Sequence, residues 1–101
     1  MLIIRTEAEG DIKETYRWYE DQRTNLGAAF VFEIEAIFET IEETPRIYAE
    51  VFYNVRRVLC KKFSYSVDFM ESKANIIVIA VLHQRRNPMI WQERTRAEQG
   101  H

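Results

Sequence analysis

Two arginine doublets, Arg56-Arg57 and Arg85-Arg86, and a histidine just before the second, His83, are the side chains of this chain best suited to chemistry. A guanidinium fork binds two oxygens of a phosphate or carboxylate at once, so such doublets suit an anionic partner. An imidazole titrating near ~6.5 suits acid or base work, or else a buried hydrogen bond to a backbone carbonyl. Trp91 and Arg94 add an aromatic anchor and a further cation in the tail. Arg56, Arg57, Arg85, Arg86, Trp91 and Arg94 are therefore the expected contact residues for a partner, with surface salt bridging as their competing role. Cys60 lies beside Lys61 and Lys62, which would favour its thiolate; a place in a strand core would oppose it.

Other chemistries lack their residues. There is no Gly-rich phosphate loop, HExxH or GxSxG, and two histidines with one cysteine form no recognisable metal cluster. Neither cofactor nor metal is expected. Glu42 and Glu43 sit at a helix end and are expected to be solvated.

The elements that must position these groups follow from the periods. Leu2 to Ile4 reads as a short strand, and Thr6-Glu-Ala-Glu9 as a capping box that starts a helix, favoured also by the acids at 7, 9 and 11. Ala8, Ile12, Thr15, Tyr16 and Tyr19 then share one helical face, with Trp18 and Tyr19 expected to pack on the sheet. Gln22 to Gly27 is a short connection. From Ala28 the series Phe30, Ile34, Ile37, Phe38, Ile41 repeats at three and four until Pro45 ends the second helix. Downstream, Val55 to Leu59, the alternating stretch Phe63 to Met70 and the apolar run Ile76 to Leu82 predict three antiparallel strands, the last central, with Glu71 to Asn75 as a hairpin connection. The expected fold is α+β: an N-terminal strand, an antiparallel helical hairpin, then a three-stranded meander packed against the helices. The sheet face away from the helices is expected to be open and basic.

A chain of 101 residues, 47% hydrophobic with 13 aromatics, 3 glycines and 2 prolines, makes one domain spanning residues 1–101 with a core of its own. One cysteine forms no intrachain disulfide, the longest apolar run is far short of the ~20 residues of a membrane span, and Met1 to Glu9 is no secretory leader; a cytoplasmic, membrane-free protein is expected. The net charge of −2 conceals a dipole. Residues 1–50 hold five Lys/Arg against twelve Asp/Glu, a balance of −7, and residues 51–101 hold nine against four, +5. Such a basic half is the surface that meets phosphates or an acidic protein segment.

The run Asp11-Ile12, Trp18-Tyr19-Glu20-Asp21-Gln22, Leu26-Gly27-Ala28-Ala29-Phe30, Glu33-Ile34, Ile41, Thr44-Pro45, Val55-Arg56-Arg57, Phe63-Ser64-Tyr65 and His83-Gln84-Arg85-Arg86-Asn87-Pro88, then Trp91, resembles the ParE branch of the RelE/ParE toxin superfamily over nearly the whole chain. The resemblance implies the compact RelE-like fold and the role of toxin in a type II toxin-antitoxin pair, a growth inhibitor of the kind that stabilises plasmids. It implies a cognate antitoxin whose C-terminal segment folds on the toxin along the helical hairpin and sheet edge, with Arg56, Arg57 and Arg86 among the cationic contacts. ParE-like members poison DNA gyrase; RelE-like members cut mRNA on the ribosome. Where such nucleases place a catalytic arginine this chain has Ser66, and Met89-Ile90-Trp91 occupies the region of their C-terminal tyrosine. The reading is therefore a gyrase poison with no catalytic residue. The alternatives are a metal-independent endoribonuclease using Arg57, His83 and Arg86, or a non-toxic antitoxin-binding remnant. Direct binding of nucleic acid stays open.

Overall fold

The computed structural model describes residues 1–85 and Arg94. Element order is β1 (Leu2–Ile4), α1 (Thr6–Gln22), α2 (Leu26–Glu43), a 3₁₀ turn (Pro45–Ile47), β2 (Glu50–Phe52), β3 (Val55–Leu59), β4 (Tyr65–Ser72) and β5 (Asn75–His83). The five strands form one sheet in the order β1-β5-β4-β3-β2. β1 is parallel to β5, and the other neighbours are antiparallel. This is the expected α+β arrangement extended by one edge strand; β5 is interior, as expected, but β4 is the middle strand, because β2 adds to the far edge. β2 is three residues long and exposed throughout, so it leaves no alternation to read in sequence.

The helices begin differently from expectation. Arg5 occupies the N-cap of α1 and no side chain caps it, so Thr6 and Glu9 form no capping box; Glu7 instead pairs with Arg5 at 3.2 Å. At the turn into α2, the Glu20 carboxylate accepts from the amides of Asn25 and Gly27, each at 2.9 Å. A side chain of the first helix thereby satisfies two orphan donors of the second. Gly27 makes the close crossing possible, because a Cβ there would sit 2.5 Å from the Tyr16 carbonyl oxygen.

The helical hairpin buries Ala8, Phe30, Ile34, Ile37 and Ile41 on Val58, Cys60, Val67, Phe69, Ile76, Val78 and Val81. Tyr19, Phe30, Phe63 and Tyr65 close one end of this core with ring centroids 4.8 to 6.0 Å apart. Trp18 departs from expectation: only its edge touches Tyr19, and 57% of the residue is exposed. The far sheet face is neither open nor basic. It carries a second buried cluster, Val55, Met70, Ile77, Ile79, Ala80 and Leu82. The physical reason is that β5 is apolar on both faces, so each side of the sheet becomes a core.

Candidate functional site

Alternation along β3 sends the first arginine doublet to opposite sides of the sheet. Arg56 lies opposite Phe69, a residue of the helix-side core. Its Nη1 donates to the Tyr48 carbonyl at 2.6 Å, and its Nη2 is 3.6 Å from Glu50. Arg57 points to the far face and grips Asp68 with both tines, Nε to Oδ1 at 2.8 Å and Nη2 to Oδ2 at 3.2 Å. Asp68 is 1% exposed. Burial pushes its carboxyl above the ordinary range, and the Arg57 guanidinium pulls against that; the same bond raises Arg57.

His83 ends β5 opposite Tyr65, its ring edge-on to the tyrosine with centroids 5.3 Å apart. Nδ1 accepts from the Arg85 amide at 3.1 Å, which leaves the ring proton for Nε2. Because Tyr65 packs on Tyr19 and Phe30, His83 belongs to the helix side. Arg57 and His83 are thus on opposite faces, roughly 10 Å apart across two strand spacings and about 10 Å along the strand. No single phosphate can lie against both.

The two doublets do not meet at neighbouring strand ends. Arg57 sits in mid-sheet opposite Asp68, which itself faces Ala80, whereas Arg85 follows the end of β5, next to Gln84, whose amide donates to Ser64. Arg85 is exposed and has no side-chain partner among the described residues. Arg86 and Trp91 lie outside the described residues. Ser66 is buried, its hydroxyl 3.5 Å from the Leu82 carbonyl. Glu42 and Glu43 are exposed, as expected.

Arg94 has an internal role that its tail position does not suggest. Its guanidinium holds Asp11 through two bonds, 2.6 and 3.2 Å, and approaches the Ile79 carbonyl at 3.4 Å. Asp11 also accepts from the Val81 amide at 3.0 Å. These two side chains serve the edge of β5 where it runs past the three residues of β1, and where the register shifts at Ile79. Asp11 was assigned to the helix dipole from sequence. Its signal was its spacing of three from Ala8 and four from Thr15, which puts it on the packed stripe.

A groove of about 420 Å³ separates α2 from β3, between Ala36, Ile37 and Thr40 on one wall and Val58 and Leu59 on the other. At its end the Glu33 carboxylate accepts from the backbone amides of Lys61 and Lys62. Leu59 is 57% exposed, and Phe32, one turn before Ala36, is 77% exposed. Cys60 is buried beside them, and burial, reinforced by Glu33, pushes its thiol up to about 12. The adjacent lysines do not activate it. Among the described residues no cluster of His, Cys, Asp or Glu could hold a metal ion, and no helix is long and apolar enough to cross a membrane.

Comparison with known proteins agrees with this architecture. Residues 2–88 match the family described as the ParE toxin of type II toxin-antitoxin system, parDE. Toxin ParE2 of Mycobacterium tuberculosis, in strains CDC 1551 / Oshkosh and ATCC 25618 / H37Rv, is 24% identical over 88 residues, 86% of this chain and 84% of the relative. The solved structure titled "Chromosomal ParDE TA system from P. aeruginosa" superposes with a TM-score of 0.73 at 15% identity, covering 81% of this chain and 92% of that one, a likeness of fold.

Proposed function

Because this chain belongs to the ParE toxin family of type II toxin-antitoxin systems, we propose that it poisons DNA gyrase by binding it, and that a cognate antitoxin neutralises it through a C-terminal segment that folds on contact. The observation that carries the choice of binding over bond cleavage is the opposition of Arg57 and His83. Cutting an RNA backbone needs a base for the 2′-hydroxyl, an acid for the leaving oxygen and cations on the phosphorane, all at one point. Here the guanidinium is committed to Asp68 on one face and the imidazole lies on the other.

The antitoxin segment is assigned to the helical hairpin and sheet edge. Support comes from the groove between α2 and β3, with Phe32 and Leu59 exposed beside it and Lys61 at its end. An amphipathic segment would seat apolar anchors there while its acids meet the basic half. Arg56, Arg57 and Arg94 contribute at the rim to the extent that Tyr48, Glu50, Asp68 and Asp11 release them, and Arg85, Arg86 and Trp91 remain the assigned contacts nearer the C-terminus. The setting is the cytoplasm, where both gyrase and antitoxin are met.

The purified chain is assayed with gyrase and supercoiled plasmid, and separately with translating ribosomes. Gyrase-dependent linear DNA is expected, unchanged by His83→Ala. Severed message with intact plasmid, lost in His83→Ala, would overturn the gyrase reading in favour of an endoribonuclease.

A further inference from the structure

The space between α1 and the end of the sheet is bounded by Asp11 at one end and His83 at the other. A pocket of about 620 Å³ opens there, floored by Tyr65 and Val81 and walled by one stripe of α1. Asp11, Glu14, Trp18 and Asp21 recur at spacings of three, four and three, so the indole has a carboxylate one turn before it and another one turn after. Among the described residues no lysine or arginine lines the pocket, and His83 stands at its sheet end. Glu14 and Asp21 are exposed and have no hydrogen-bond or ion-pair partner among the described residues.

Two further observations say what the pocket accepts. Thr15, on its wall, is 6% exposed, yet its hydroxyl has no hydrogen-bond partner among the described residues. A buried hydroxyl in that state can still accept a hydrogen bond from a group that enters the pocket. Asp11, at one end of the wall, already holds the Arg94 guanidinium in a bidentate bond, so a guanidinium of this chain is at home against this stripe. The indole is backed edge-on by Tyr19, which is itself pinned by Phe63, Phe30 and Tyr65.

We propose that this pocket binds an arginine side chain presented by a peptide segment of a partner protein. Two unpaired carboxylates repel an anionic ligand and attract a cation. A planar guanidinium can stack on the indole of Trp18 and donate to the carboxylate on either side of it, Glu14 or Asp21, in a fork geometry that a compact ammonium lacks. The apolar stem of the arginine covers Tyr65 and Val81. The site is independent of the gyrase and antitoxin assignments.

The test titrates the ¹⁵N-labelled full chain with acetyl-Ala-Arg-Ala-amide and with the same peptide carrying citrulline, the neutral isostere of arginine. The arginine peptide is expected to shift the Trp18 indole N–H and neighbouring α1 amides saturably, the citrulline peptide to bind about five- to tenfold more weakly. Glu14→Gln with Asp21→Asn, both at exposed positions, should weaken the arginine peptide by a similar factor while leaving the melting temperature unchanged. Equal binding of the two peptides, shifts confined elsewhere, or tighter binding of adenosine monophosphate at the same resonances would each overturn the proposal. The peptide comparison uses the unaltered protein, so it stands even if the double variant folds poorly.

Discussion

Arg57 and Asp68 meet across neighbouring strands, eleven residues apart in the chain, whereas Arg94 and Asp11 meet from eighty-three residues apart. Both pairs are bidentate, but their surroundings differ. Asp68 is 1% exposed and receives N–H donors from Arg57 alone among the described residues. The Asp11 side chain is 11% exposed and receives a third donor, the Val81 amide. The first pair places a carboxylate inside an apolar sheet face, where its hydrogen-bond donors among the described residues come from Arg57. The second closes a strand edge, with backbone and side chain sharing the carboxylate. Equal geometry therefore does not imply equal consequence when one partner is removed; what the remaining charge can still bind decides the cost.

The largest expected effect follows directly. Arg57→Met should lower unfolding stability by about 3–5 kcal/mol, read from urea denaturation, because it leaves Asp68 buried and unpaired. Adding Asp68→Leu should return stability close to that of the unaltered chain, since both polar partners are then replaced. The pH dependence carries a sign. Burial already sets the folded Asp68 carboxyl above its ordinary value, so the stability it contributes is fullest below the ordinary aspartate range and is lost as pH rises through the folded value. Without Arg57 the folded value rises further, and the variant's deficit should shrink as pH falls from 7 to 4. A deficit below about 1 kcal/mol, constant over that range, would erase the contrast between the pairs.

How far these pairs were legible in sequence differs for physical reasons. The Arg57–Asp68 contact requires the β3–β4 register, which places those residues opposite each other, and alternation alone does not fix register. Register likewise decides that the two arginine doublets lie apart. The helices, β1 and the interior place of β5 are readable, because the 3.6-residue stripe of Phe30, Ile34, Ile37 and Ile41 marks a packed helix face and the unbroken run Ile76 to Leu82 does not suit an edge. The closed second face is half readable: an unbroken apolar run such as Ile76 to Leu82 puts apolar side chains on both sides of the sheet, which an open, basic far face contradicts. Trp18 was misjudged because its stripe contains acids as well as aromatics. Of the expected contact residues, Arg56, Arg57 and Arg94 turn out to be engaged within the fold, a matter of tertiary neighbours that composition does not contain.

The second pair should respond more locally. Asp11→Ala removes the acceptor of the Val81 amide and strands Arg94, at a cost of about 1–3 kcal/mol. Its signature is hydrogen exchange: the Val81 amide should lose protection first, while amides at the centre of β4 change only with global stability. If Val81 exchanges no faster relative to β4, Asp11 is not what closes that edge, and the pairs differ in burial alone.

The smallest effect has the opposite sign and calibrates the other two. The β4–β5 turn has Lys73 and Ala74 at φ 51° and 67°, two side-chain-bearing residues in left-handed backbone where an Asn-Gly type of pair is preferred. Left-handed backbone costs a non-glycine residue about 1–2 kcal/mol, and glycine's extra freedom when unfolded takes back part of the gain. Ala74→Gly should therefore stabilise the chain by about 0.5–1 kcal/mol in urea unfolding. The turn follows the Ser72–Asn75 pair at the far end of the hairpin from His83, and it touches neither aspartate. Its gain should add unchanged to Asp11→Ala and to Arg57→Met. If it does not add to Arg57→Met alone, the buried charge disturbs the whole β4–β5 hairpin, and its cost is that of a loosened sheet rather than of one unpaired carboxylate.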